Sequence, residues 1–186
     1  MVKIDLKNFD LQKLKLGAKS IHIEYYDLNR KNDLVTIDSD SKPSDDLKIN
    51  LDLLKEVFAD ALGLTEGWNH AIDHIKANEE ALKLAINKKK LIISNCEISG
   101  LKLVGSEDNE CVIITGSFET DFGTIGTATK PIAIDEVETL SEIISGVANE
   151  VFMFLFKGKR DADLFNPKEE KKSGLNNTED KHLKAV

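Results

Sequence analysis

The run "HAIDH" holds the side chains best suited to grip a metal. His70 and His74 are four apart, on one face of a helix, with Asp73 beside them. A site built on them needs a third ligand, for which the chain offers His22, Cys96, Cys111 or a carboxylate. Paired helical histidines in zinc proteases carry an acid between them at a fixed spacing, and that spacing is missing here. The pair therefore reads as helix-flank histidines, and no metal or other cofactor is assigned. Cys96 and Cys111 fall in neighbouring strand-like runs, where they lie near enough to meet, yet strand cysteines are usually small core residues. "TDFGTIG" contains an Asp-Phe-Gly triplet without the catalytic loop of a kinase, and it reads as a turn. "GTIGTAT" has no following "GK[ST]" and opens no helix, so it is a glycine-spaced strand, not a phosphate cradle. No glycine-framed serine marks a nucleophile elbow. The residues point to a protein that is not an enzyme, with a metal-dependent enzyme on His70 and His74 as an alternative.

Charge narrows the binding classes. The 186 residues carry a net charge of −8, which opposes a broad footprint for nucleic acid but leaves room for a local basic patch. Two basic runs stand out, Lys88, Lys89 and Lys90 in one and Lys157, Lys159 and Arg160 in the other. They are the residues expected to meet phosphates, with Tyr25, Tyr26 or Phe122 as rings on which a base could stack. The same acidity suits a protein that occupies a basic surface on its target.

These residues must be positioned by a fold, and the hydrophobic period gives its class. "KSIHIEYYDLNRKNDLVTID" has two β-rich runs around a polar loop, a hairpin from Ser20 to Asp38. After Pro43 a helix opens at Ser44 and Asp45, and Leu47, Leu51, Leu54, Phe58 and Leu62 form its apolar stripe. A second helix begins near Glu66 and carries Trp68, Ile72, Ile75, Leu82 and Ile86 inward. "KLIISNCEIS", "LKLVGSEDNE", "CVIITGSFET" and "GTIGTATKPI" then read as an antiparallel meander of three or four strands, with turns at "GSEDNE" and "TDFG". A long helix from near Asp135 covers the sheet with Val137, Leu140, Ile144, Val147, Val151 and Phe154, and stops at Gly158. The expected fold class is α+β, one domain over 1–165, with a polar tail over 166–186 that lacks periodicity and is expected to be disordered. No internal repeat is visible. No apolar run reaches the ~20 residues of a membrane span, and the acidic N-terminus lacks the features of a signal peptide, so a cytosolic location is expected. "VFMFLF" is apolar on more than one side, which suits a helix buried against both core and a second subunit of a homo-oligomer.

Past that helix, "DADLF" places Leu164 and Phe165 alone in polar chain. Asp161, Ala162, Asp163, Leu164 and Phe165 resemble the short peptide by which bacterial and phage replication proteins dock on the sliding clamp, with Asp161 where that peptide has Gln. A wider resemblance covers roughly Asp45 to Phe165. "DLKINLDLLKEVFADAL", the meander around "VIITG" and the helix ending "VFMFLFKGKRDADLF" resemble a family of uncharacterised phage-encoded proteins. That resemblance implies a setting among phage DNA-metabolism genes and carries no mechanism. The function expected is a non-enzymatic phage accessory protein of DNA replication or recombination. It would bind a protein partner such as a sliding clamp or replisome component, and single-stranded DNA through the basic runs. The alternative is a phage inhibitor or sponge directed at a host defence enzyme or signal.

Overall fold

Alternation of apolar and polar residues in Phe9–Leu16 (β1), Ile21–Asp27 (β2) and Asp33–Ser39 (β3) builds an antiparallel three-strand meander. In β2 the alternation is strict: Ile21, Ile23 and Tyr25 are buried, while His22, Glu24 and Tyr26 face the other way. The computed structural model describes residues 6–30, 33–75, 78–105 and 109–158. A second meander follows, of Cys96–Val104 (β4), Cys111–Thr120 (β5) and Gly123–Ala128 (β6). The short Ile132–Ala133 (β7) adds to β5 beyond the end of β6. Strand order is β3-β2-β1-β4-β5-β6, so the two meanders run outward from a central antiparallel pair, β1 with β4. The α+β class is as expected, and so are the hairpin of β2 with β3 and the meander. The β1 strand, which joins them into one sheet, is an addition to the sequence reading.

All the layer helices lie on one face. Asp45–Asp52 (α1) opens on Ser44, whose Oγ accepts from Leu47 N at 3.2 Å, with Asp45 and Asp46 at its positive end. The single helix expected through Leu62 is in fact two. Lys55–Ala61 (α2) restarts after a turn in which Leu54 N donates to Leu51 O at 3.0 Å. The stripe survives the break, with Leu47, Leu51, Leu54 and Phe58 fully buried. The next helix is also divided, into Glu66–His74 (α3) and Glu79–Ser94 (α4), the second opened by Asn78 Oδ1 accepting from Glu80 N and Ala81 N. Trp68, Ile72, Ile75, Leu82 and Ile86 are only half-buried, because this helical hairpin packs at the border of the core. The α4 helix runs through Leu91, Ile92 and Ile93, a stretch expected to begin the meander; the Asn78 cap fixes its start and the helix ends at the Asn95 cap.

Leu140–Lys157 (α5) crosses the sheet beside α1 and buries Leu140, Ile144, Val147, Val151 and Phe154. It begins at Leu140 instead of near Asp135, since Ile134–Glu136 forms a tighter 3-10 turn and leaves Val137 extended. Gly158 ends the helix as expected, at φ 66° with its N–H on Met153 O. The second apolar side of "VFMFLF" is used within the chain: Phe152 and Phe156 meet the ring of Phe9 at 5.7 and 6.1 Å. No helix among the described residues is long and apolar enough to cross a membrane.

Candidate anion-binding face of the sheet

With the helices on one side, the other face of the sheet carries the alternate side chains of every strand. Register fixes two rows across it. One runs Thr36, Glu24, Lys13, Lys102, Ile113; the next runs Asp38, His22, Lys15, Gly100, Thr115, Ala128. Three lysines therefore share this face on the central strands. Lys13 stands directly opposite Lys102, and Lys15 lies in the adjoining row. Like charges directly opposite each other in a sheet are destabilising, so this pair is a local cost in a chain otherwise rich in acid. Close approach is enforced by Gly100, where a Cβ would lie 2.2 Å from Leu14 O.

The acids of the face are on the β2–β3 side and are already engaged. Lys13 Nζ donates to Glu24 Oε1 at 2.8 Å. The ring nitrogens of His22 lie 2.9 Å from Glu24 Oε1 and 2.7 Å from Asp38 Oδ1, so both act as donors when the ring is protonated. These bonds, to Glu24 first and then Asp38, hold the imidazole pKa above 6.5. Glu24 is held below its ordinary range, chiefly by Lys13 and then by His22. Lys15 and Lys102 make no ion pair among the described residues. They are the free cations of the face.

The expected site residues are spread elsewhere. Lys88, Lys89 and Lys90 are on α4, and Lys89 is consumed by Glu56 at 2.7 Å with Asp60 at 4.0 Å, which splits the run as a phosphate patch. Lys157 is exposed in the last turn of α5. Lys159, Arg160 and the peptide Asp161, Ala162, Asp163, Leu164 and Phe165 lie outside the described residues, as does the 166–186 tail. Tyr25 is withdrawn as a stacking ring, because it is buried against Phe9 at 4.7 Å on the helix side. Tyr26 is half-buried on the open face, and Phe122 is fully exposed at the turn between β5 and β6. His70 and His74 stack edge to face at 4.2 Å, with no third ligand assembled beside them among the described residues. Cys96 and Cys111 are at opposite ends of the β4–β5 ladder, paired with Phe118 and Val104, and so about 25 Å apart. Burial pushes the Cys96 thiol pKa up, and its Sγ donates to Ile92 O at 3.4 Å.

The residues missed from sequence, Lys13, Lys15 and Lys102, had one signal: "KLK" and "LKL" alternate charge with leucine at the strand period. Comparison with family models, curated proteins and solved structures finds no match to the chain.

Proposed function

We propose that the chain is a non-enzymatic binding protein that takes an extended anionic ligand, single-stranded DNA, across the open face of its sheet. On this reading it is an accessory of phage DNA replication or recombination in the cytosol of the host cell, and Leu164 and Phe165 tether it to a clamp or replisome partner. The observation that supports it is the pair of unengaged cations Lys15 and Lys102 in adjoining rows at the centre of an uncovered sheet, next to Lys13, which Glu24 already holds. Phosphates can pair with Lys15 and Lys102, and Tyr26 offers a ring on the same face. A hydrolytic role for His22 is disfavoured, since both its nitrogens face carboxylates and neither is turned to a nucleophile.

The test is fluorescence anisotropy of a labelled oligothymidylate at low salt. Binding should be weak, in the micromolar range, with a log–log salt slope of about −0.7 for each phosphate neutralised. Lys15→Glu with Lys102→Glu should abolish it while leaving the far-UV spectrum unchanged. Absence of binding by wild type, or undiminished binding by the variant, removes the reading.

The sponge reading has its own observation. A cleft of about 780 Å³ is lined by Lys48, Lys55, Ser94, Asn95 and Ser117, with Asp52, Glu97 and Glu119, where α1 meets the start of β4. A small nucleotide that raises the melting temperature of wild type but not of Lys55→Gln would favour it over DNA binding.

A further inference from the structure

We infer that β6 is a self-pairing edge, and that two copies of the chain join through it into one continuous sheet. β6 is the end of the strand order, and all of its residues but Thr127 are exposed. Thr129 N donates to Ile114 O at 2.9 Å and Gly123 pairs with Thr120, so the odd-numbered residues turn their backbone groups to β5. Those of Thr124, Gly126 and Ala128 point outward, along an edge with no neighbouring strand among the described residues. An edge of this kind is normally blunted by charge, proline or a bulge. Gly123–Ala128 has none of these, in a chain that is 31% charged, and it leaves Ile125 48% exposed.

The occupant is set by symmetry and charge. A two-fold axis perpendicular to the sheet keeps both helix layers on one side and sets one residue of the edge against its own copy. Centred on Gly126, where an added Cβ would meet nothing, the register sets Thr124 against Ala128 and Ile125 against Thr127, each twice. Every outward N–H and C=O then has a partner. At both ends Lys130 of one copy comes opposite the fully exposed Phe122 of the other and beside its Asp121. Neither Asp121 nor Lys130 has an ion pair within the described chain. The opposite edge does not offer this, because β3 carries Asp33 and Asp38 and would repel its own copy.

A single strand pair buries less than the ~1,200 Å² of a tight complex, so the dimer should form in the micromolar range. Sedimentation velocity of the full chain over a concentration series should show a monomer–dimer equilibrium. Thr124→Lys with Gly126→Lys, both exposed, should leave the melting temperature within a few degrees and the chain monomeric. Asp121→Lys alone should weaken the dimer, and Asp121→Lys with Lys130→Asp should restore it, a reciprocity that only pairing of like chains produces. A wild type that stays monomeric throughout, or a dimer indifferent to the lysines on β6, overturns the inference.

Discussion

His22 gives the open face a pH response that can be worked out from its bonds. Its pKa is raised in the folded chain, so the protonated ring adds stability that is fully present below about 6.5 and is lost as pH climbs through the folded value. Glu24 has the opposite sign: its pKa is lowered, so its contribution is present above 4.5 and fades as pH falls through the folded value. The two overlap in mildly acidic solution. Urea midpoints of wild type and His22→Gln should therefore differ most near pH 6 and draw together as pH rises through the folded value; a gap that stays constant with pH would show that the imidazole acts by packing and not by charge. A second residue-scale test concerns Gly100. A methyl there meets Leu14 O at 2.2 Å and Lys15 Cα at 3.0 Å, both backbone atoms that cannot swing aside. Gly100→Ala should cost about 1–3 kcal/mol in urea unfolding, the range for forced overpacking.

Elements show where sequence reading succeeds and why it stops. β2 and the α1–α2 stripe were legible because Ile21, Ile23 and Tyr25 keep the strand period and Leu47, Leu51, Leu54 and Phe58 the helical one, while β3 and β5 were legible as β-rich runs bounded by turn residues. β1 was not, for a definite reason: its buried residues are Phe9, Leu11 and Leu14, and the bulge between Leu11 and Lys13 changes the spacing from two to three. Once that strand is lost, "KLK" has no face, and the lysine group of the site cannot be assembled. The turn at Leu54 was hidden for the converse reason, since the leucines keep helical spacing across it. The α3–α4 hairpin has the right pattern but little to bury, with no buried residue on α3 and only Ala85 on α4. An element so thinly packed should open below the global transition. Trp68, the one tryptophan, is on α3 and reports on it. Its fluorescence should change at lower urea than the far-UV signal of the sheet, and coincident curves would mean that the hairpin is coupled to the core more tightly than its burial suggests.

At the scale of the whole molecule the two meanders exchange their cover. Helices α1 and α2, which follow the first meander, pack on β4 of the second, and Phe58 reaches to within 3.1 Å of a Cβ built on Gly116. The α5 helix, which follows the second, packs on β1 of the first through Phe152 against Phe9. Each half thus draws helical cover from the other, which ties their stability to the pairing of β1 with β4 across a sequence separation from Lys13 to Lys102. Local strands without a covering layer are marginal in water, and this places the stability of the sheet in its central seam. Leu14→Ala on β1 and Leu101→Ala on β4, both nearly fully buried, should each cost about 2–5 kcal/mol. The loss should appear as a lowered midpoint of one sheet transition, seen alike by far-UV circular dichroism and by exchange of amides in β2 and β5. If Leu14→Ala instead released β2 and β3 while β4 and β5 kept their protection, the halves would be separate folding units and the exchanged helices would not bind them together.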